Sequence, residues 1–182
     1  QHPITRPGKQ CIQGLVNLLP TSKDIGGNVV VPGSHRFFEN IPSEYKERLA
    51  KLPLGIDHFR FPNDDPKLSS EKPLMCHMEP GDMLLWDSRT IHCSNSGNKL
   101  PKNSSGLIRA ASLICMMPKE RSNQDVINQR REAVEKVIST TNWSDTFRNA
   151  DQFPVIQEAK DREKYKWPPV PKLTDYQKDL VG

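Results

Sequence analysis

The sequence has few cysteines and no long hydrophobic run. Its 182 residues include four cysteines, at positions 11, 76, 93 and 115, and none of them forms a C-x-x-C pair. This spacing excludes a disulfide-stapled scaffold and a zinc site of the C-x-x-C type, and it favours reduced thiols in an intracellular, cytoplasmic protein. No apolar stretch approaches the roughly 20 residues that span a bilayer, so we expect no membrane segment.

The chain also lacks a strong excess of one charge. Its 26 basic and 22 acidic residues leave a net charge of +4, and no Lys/Arg block interrupts their even distribution. This pattern predicts no nucleic-acid partner, whereas a modest positive surplus suits an anionic small-molecule substrate. The length predicts one domain over residues 1–182, and the start at Gln1 predicts a chain that is partial at its N-terminus. Nothing in the sequence indicates an oligomeric state.

Residues 79–95 organise the predicted fold. Pro80-Gly81-Asp82 is typical of a turn, because proline fixes φ and glycine adopts conformations that other residues avoid. The apolar run 83–86 predicts a buried strand, after which the chain breaks and delivers His92 at a strand end. A histidine in this place is either a functional group or a satisfied structural side chain.

Three further stretches, residues 11–19, 28–31 and 73–78, have strand patterns. In the first, the two-residue repeat places Gln13, Leu15 and Asn17 on one face. The polar pair on that face points either into a lined cavity or into solvent. The second strand ends at Pro32-Gly33-Ser34-His35, which leaves His35 at a strand end.

Residues 107–117 have the strongest strand pattern, and Arg109 lies within it. A buried guanidinium is costly unless it pairs with an anion, which is either a protein carboxylate or the carboxylate of a ligand. Seventeen positions separate His92 from Arg109, and most of them belong to the polar segment 94–106. Two consecutive strands would therefore bring both side chains into one cavity.

Helical patterns occupy residues 43–52, with Ser43 as the expected N-cap, and residues 122–139, where Ser122-x-x-Asp125 resembles a capping box. Residues 56–61 are a candidate edge strand. Beyond residue 140 the pattern predicts an irregular tail.

Three motifs together resemble the phytanoyl-CoA dioxygenase family of Fe(II)- and 2-oxoglutarate-dependent oxygenases. They are Gly-Asn-Val-Val-Val-Pro-Gly-Ser-His at 27–35, Glu-Pro-Gly-Asp through Ile-His at 79–92, and Ile-Arg-Ala-Ala-Ser at 108–112. The resemblance implies a mainly β fold with accessory helices, built as a double-stranded β-helix, which is a jelly-roll or cupin-like barrel. Its core strands would span about 11–117, followed by a C-terminal helix and wrapping tail over 118–182.

The same resemblance assigns roles to residues. It implies that His92 binds Fe(II) together with a His-x-Asp pair, which we expect immediately ahead of Gln1. Arg109 would bind the far carboxylate of 2-oxoglutarate, and Leu15 and Asn17 would line the cosubstrate pocket. His92 and Arg109 are thus the expected catalytic pair.

Substrate contacts are expected from groups near the predicted strand ends, namely His35, Trp86 and Arg89. The segment 94–106 is either a mobile lid, with Lys99 and Lys102 steering an anionic substrate, or a simple connection. The implied activity is hydroxylation of a small organic molecule coupled to decarboxylation of 2-oxoglutarate to succinate. The alternative is an inactive β-helix binding protein, in which Arg109 holds a structural carboxylate and His92 a hydrogen bond.

Overall fold

The computed structural model describes residues 1–52, 58–62, 64–98, 107–136, 138, 140, 142–148, 169 and 172–181. The chain divides into two compact units, Gln1–Ile114 and Cys115–Gly182. In chain order the elements are β1 (Ile12–Asn17), β2 (Gly27–Val30), α1 (His35–Glu39), α2 (Ser43–Ala50), α3 (Pro66–Ser70), β3 (Leu74–Met75), β4 (Met83–Asp87), β5 (His92–Asn95), β6 (Ala111–Met116), a 3-10 helix (Lys119–Arg121), α4 (Gln124–Glu135) and α5 (Asp175–Val181).

The strands form two small sheets of three strands each, with the orders β4-β1-β6 and β3-β2-β5. Strand β1 pairs antiparallel with β4, and β2 pairs antiparallel with both β3 and β5. Within the described ranges neither sheet closes on itself. The double-stranded β-helix therefore stays a prediction, as does the division into one domain.

Strand β1 has the alternation that its sequence predicts. Gln13 lies directly opposite Trp86 in the antiparallel register, so these two side chains and Leu15 project from one face. The other face carries Met83 and Leu85, which are 56% and 48% exposed. The prediction that the run 83–86 forms a buried strand is wrong for this face. An antiparallel sheet can pack one face against the core and leave the other exposed to solvent.

The predicted turn before β4 is confirmed. Gly81 has a φ of 94°, in the left-handed region that favours glycine. The Asp82 carboxylate accepts the Glu79 N–H at 2.8 Å, and the Asp82 N–H donates to the Glu79 carbonyl at 3.1 Å. Gly81 also donates to the Asn17 carbonyl at 2.8 Å, which fixes the turn to the end of β1.

Helix α2 confirms the predicted helix but not its cap. It begins at Ser43, so the N-cap residue is Pro42, which has no capping side chain. Helix α1, which no periodicity predicts, directly follows the Pro-Gly-Ser-His turn. Its Phe37 ring lies 5.6 Å from the Tyr45 ring of α2, so tertiary packing stabilises this short helix.

An aromatic cluster surrounds Tyr45. The rings of Phe59 and Phe61 lie 5.8 and 5.6 Å from the Tyr45 ring, and the described part of the candidate edge strand, 58–61, packs here without forming a strand. The Tyr45 hydroxyl donates to Asp65 Oδ1 at 2.6 Å. Burial, followed by the hydrogen bond and the charge of Asp65, raises the pKa of Tyr45 to about 12.

We expect this tyrosine to make the protein sensitive to alkali. The pKa of Tyr45 is higher in the folded chain than the ordinary value of 10.0, so the folded state retains a proton that the unfolded state loses. The free energy of unfolding should therefore fall as pH rises from about 10 to about 12. Urea titrations at several pH values measure this slope.

Tyr45→Phe is the test variant, and Tyr176→Phe is its control because Tyr176 is 74% exposed. Tyr45→Phe should be less stable at neutral pH, because Asp65 loses a buried donor, and its stability should depend less on alkaline pH. An unchanged slope in Tyr45→Phe would contradict the assignment.

In the second unit, α4 has a different cap from the predicted one. The Asn123 side chain accepts from the Val126 N–H at 2.9 Å, while the Ser122 hydroxyl donates to the Ser144 carbonyl. Helix α5 adds regular structure that the sequence pattern did not predict. Among the described residues, every helix is too short or too polar to cross a bilayer.

Candidate functional site

His92 is the first residue of β5, a strand whose four residues are all exposed. A hydrogen bond from the Thr90 N–H to the Asp87 carbonyl at 2.8 Å forms the turn that leads into it. His92 Nδ1 lies 2.8 Å from the Thr90 carbonyl oxygen. A carbonyl can only accept, so Nδ1 carries the proton and Nε2 presents its lone pair outward.

The electrostatics of His92 favour the neutral ring. Neighbouring protein partly displaces water from the exposed imidazole and lowers its pKa. The hydrogen bond to Thr90 acts in the opposite direction but does not cancel this effect. A neutral imidazole with a fixed tautomer is the form that binds a metal ion.

Trp86 links His92 to the first sheet. The two ring centroids are 5.1 Å apart, with an interplanar angle of 53°. The Trp86 indole N–H donates to Gln13 Oε1 at 3.3 Å. The structure therefore brings predicted residues Trp86 and His92 together and adds Gln13, whose place on a mixed polar face of β1 was the sequence signal for it.

Leu15 and Asn17 lie on the same side of β1 as Gln13, and both are buried. Asn17 Nδ2 donates to the carbonyls of Leu19 and Met78 at 2.6 and 3.2 Å. Its Oδ1 is buried without a hydrogen-bond partner among the described residues. The assignment of Leu15 and Asn17 to the cosubstrate pocket stays a prediction. Asn17 Oδ1 is the buried atom that could still accept a hydrogen bond.

Asn28 is a second buried amide, which sequence reasoning did not single out. In the antiparallel register Asn28 lies opposite Ser94, and Val30 lies opposite His92. Because alternate residues of a strand share a face, the Asn28 side chain lies on the same face of the second sheet as His92. The residue is 5% exposed, and its Nδ2 has no partner in the described part of the chain. Only the strand register could reveal this position, since a single Asn at the start of a strand carries no signal.

Arg109 does not lie within a strand. It precedes β6 by two residues and is half-buried. The prediction of a guanidinium in the middle of a buried strand is wrong in this respect, because the strand begins only at Ala111. The adjacent Ala110 carbonyl accepts from Leu18 and Leu19 at 3.0 and 3.3 Å, which places Arg109 beside the C-terminal end of β1.

The other two predicted substrate residues have different surroundings. Arg89 forms a bidentate pair with Asp87, with N···O distances of 3.0 and 2.9 Å, and both side chains are largely buried. Burial alone would raise the pKa of Asp87, but the hydrogen bonds and charge of Arg89 lower it. His35 begins α1 and is half-buried. A substrate role for either residue stays a prediction.

Ser34, which precedes His35, connects its turn to the approach to His92. The Ser34 hydroxyl donates to the Val31 carbonyl at 2.7 Å and accepts the Ile91 N–H at 2.8 Å. The Val31 N–H donates to the Ile91 carbonyl at 2.9 Å. The Pro-Gly-Ser-His motif thus fixes the backbone immediately before the candidate metal ligand.

A cavity of about 270 Å³ lies on the opposite face of the second sheet. Its lining includes Val29, Met75, His77 and Asn95, and the register places Val29 and Met75 on the face away from His92. This cavity is therefore separate from the candidate site. The loop residues 99–106, including Lys99 and Lys102, lie outside the described residues.

A 2-His-1-carboxylate iron site has three protein ligands, and the described residues offer a candidate for one of them, His92. No three His, Cys, Asp or Glu side chains within the described ranges are grouped to hold a metal. His92 has the correct donor atom in the correct tautomer. The Gln1 amino group donates to the Ser88 carbonyl at 3.4 Å, and Ser88 is fully buried, so the start of the chain is held beside this turn.

Comparisons with known proteins give one family and two relatives. Residues 1–101 match the family described as phytanoyl-CoA dioxygenase (PhyH). The chain is 29% identical over 144 residues to Ava biosynthesis cluster protein O of Aspergillus versicolor, covering 74% of this chain and 44% of that protein. It is 34% identical over 90 residues to 1-deoxypentalenic acid 11-beta-hydroxylase of Streptomyces exfoliatus, covering 48% and 30%. The chain thus spans less than half the length of either relative. No solved structure matches it.

Proposed function

Because the chain belongs to the phytanoyl-CoA dioxygenase family, we propose that its protein is an Fe(II)- and 2-oxoglutarate-dependent hydroxylase of a small organic substrate. One oxygen atom of O₂ enters a C–H bond of the substrate as a hydroxyl group. The other enters 2-oxoglutarate, which leaves as succinate and CO₂. The bound iron supplies the dioxygen chemistry, and the residues of the chain hold the reactants.

The observation that carries this proposal is the state of His92. The hydrogen bond to Thr90 fixes the tautomer that leaves Nε2 free, and partial desolvation lowers the pKa of the ring. A structural histidine needs no such outward lone pair, whereas a metal ligand requires it. The named hydroxylase among the relatives supports the same reading.

The remaining iron ligands are proposed to come from a His-x-Asp pair next to Gln1. The Gln1 nitrogen lies 3.4 Å from the Ser88 carbonyl oxygen, and Ser88 belongs to the turn that leads to His92. Residues joined to that nitrogen would therefore approach this turn. The buried Ser88 would hold this approach in place.

Arg109 is proposed to bind the far carboxylate of 2-oxoglutarate, with Leu15 and Asn17 lining the same pocket. Arg109 lies next to the end of β1 at which Asn17 is buried, so the three residues belong to one end of the first sheet. We propose that this site lies in a double-stranded β-helix, to which the two three-stranded sheets would belong.

For the substrate we propose an organic molecule with an acidic group. One relative is named for a reaction on 1-deoxypentalenic acid, and the chain here has a net charge of +4. Trp86 would contribute an apolar surface beside His92, and His35 and Arg89 would lie nearer the rim.

The test is iron-dependent formation of succinate by the whole natural chain. Purified protein should release succinate from 2-oxoglutarate in the presence of Fe(II) and O₂, and a chelator should stop the reaction. Calorimetry with Mn(II) in place of iron should detect 2-oxoglutarate binding without turnover. Absence of both signals would favour the inactive binding protein.

A further inference from the structure

Asn28 carries a buried hydrogen-bond donor that the described part of the chain does not satisfy. The residue is 5% exposed, and its Nδ2 has no partner among the described residues. A buried amide donor without a partner is costly, so an acceptor from a bound molecule is expected to meet it. An apolar side chain of similar size, such as leucine, would avoid that cost at this position.

The donor lies close to the candidate metal ligand. Asn28 and His92 are diagonal neighbours on one face of the second sheet, because Asn28 is opposite Ser94 and Val30 is opposite His92. Diagonal neighbours in an antiparallel pair are roughly 7–8 Å apart. Ser94, which adjoins both residues on this face, is exposed, so a ligand can lie here. Because the last side-chain torsion of asparagine is broad, the carboxamide can turn Nδ2 toward such a ligand.

Asn28 is also joined to the end of β1 beside which Arg109 lies. The stretch 76–78 bonds to both places, because it accepts from the Asn17 side chain at 3.2 Å and donates to the Asn28 carbonyl at 2.9 Å. Asn17 is the last residue of β1, and Arg109 lies beside that end of the strand. Two donors suited to an anion, a guanidinium and an amide, therefore lie on segments that one short stretch connects.

The length of 2-oxoglutarate fits the separation of Asn28 from His92. In an extended molecule four C–C bonds of about 1.5 Å join the two carboxyl carbons, which are then about 5 Å apart. A molecule of this length that is held beside His92 by its 2-oxo acid end can bring its far carboxylate to Asn28. The group that Nδ2 lacks is an acceptor, and an ionised carboxylate only accepts.

We propose that Asn28 donates a hydrogen bond to the far carboxylate of 2-oxoglutarate and shares this carboxylate with Arg109. The inference rests on the proposed function and adds to it a donor from β2, the strand that pairs with the strand of His92. It also gives a reason for an amide, rather than an apolar side chain, at a buried strand position.

The experiment compares two ligands by calorimetry on the whole natural chain loaded with Mn(II). 2-Oxoglutarate has the far carboxylate, and 2-oxopentanoate has a methyl group in its place. Asn28→Leu keeps the size of the side chain and removes the donor. It should weaken 2-oxoglutarate binding about tenfold or more and change 2-oxopentanoate binding by less than about twofold. Asn128→Leu, at an exposed position of α4, is the matched control and should bind both ligands like the unaltered protein.

Thermal stability separates this role from a structural one. Without ligand, Asn28→Leu should melt at the same temperature as the unaltered protein or higher, because it removes an unsatisfied buried donor. Added 2-oxoglutarate should raise the melting temperature of this variant less than that of the unaltered protein. If the leucine does not fit, Asn28→Ala removes the same donor without a clash, and the same loss of 2-oxoglutarate affinity is expected.

Two results would overturn the inference. The first is an unchanged 2-oxoglutarate affinity in the Asn28 variants, which would leave the amide with a structural role or a contact to another molecule. The second is an equal loss of affinity for both ligands, which would place Asn28 away from the far carboxylate. If the unaltered protein itself binds neither Mn(II) nor 2-oxoglutarate, the proposed function fails instead.

Discussion

Replacing His92 with alanine should abolish iron-dependent succinate formation. The change removes Nε2, the proposed metal-binding atom. Loss of a mere hydrogen-bonded neighbour of a ligand costs 10–100-fold in metal affinity or activity, so loss of the ligand should cost more than about 100-fold. Succinate release and Mn(II) calorimetry measure the two effects.

His77→Ala is the matched control for this variant. His77 is also exposed, but it lines the cavity on the opposite face of the second sheet. It should retain the activity and metal affinity of the unaltered protein. Melting curves should be nearly the same for both variants, because β5 is exposed and His92 contributes little to the core. Full turnover in His92→Ala would show that His92 is not the iron ligand.

Replacing Arg109 with lysine should weaken 2-oxoglutarate binding and leave metal binding nearly intact. A guanidinium can form two parallel hydrogen bonds to a carboxylate, and an ammonium group cannot reproduce that geometry. Loss of one hydrogen bond to a charged partner is worth about 1.5–3 kcal/mol, which corresponds to roughly 10- to 150-fold in affinity.

Arg60→Lys, at an exposed position, controls for the general effect of the exchange. Calorimetry should show weakened 2-oxoglutarate binding only in Arg109→Lys. If both variants bind 2-oxoglutarate like the unaltered protein, Arg109 is a structural residue, and its neighbour Ala110 is then the more important group through its backbone bonds to β1.

Local sequence patterns predicted the elements that depend on residues close together in the sequence. The turn at Gly81 requires a positive φ and a carboxylate one residue later, and both are visible in the sequence. The alternation of β1 likewise follows from the period of a strand. The cap of α4 was predicted one residue out of place, because Ser122 and Asn123 are both acceptable N-caps and tertiary contacts decide between them. In α2 the predicted cap, Ser43, is instead the first residue of the helix, and Pro42 precedes it.

Burial was harder to predict than secondary structure. An apolar run such as 83–86 indicates a strand but not how many of its faces are covered. Arg109 was placed inside a strand for a related reason, since the apolar run begins four residues before the hydrogen-bonded strand does. A residue in such a run belongs to a strand only if its backbone forms hydrogen bonds to an adjacent strand. That strand can lie far away in the sequence.

For the site, the sequence by itself determined which residue types are present, and its resemblance to the family predicted roles for His92 and Arg109. It also put Gln13, Leu15 and Asn17 on one face, because side chains alternate along any strand. Only the tertiary structure decided that Trp86 lies against His92, that Gln13 accepts from the indole, and that Asn28 shares the His92 face. Those contacts join segments up to 73 positions apart, and no local period of the chain encodes the register between them.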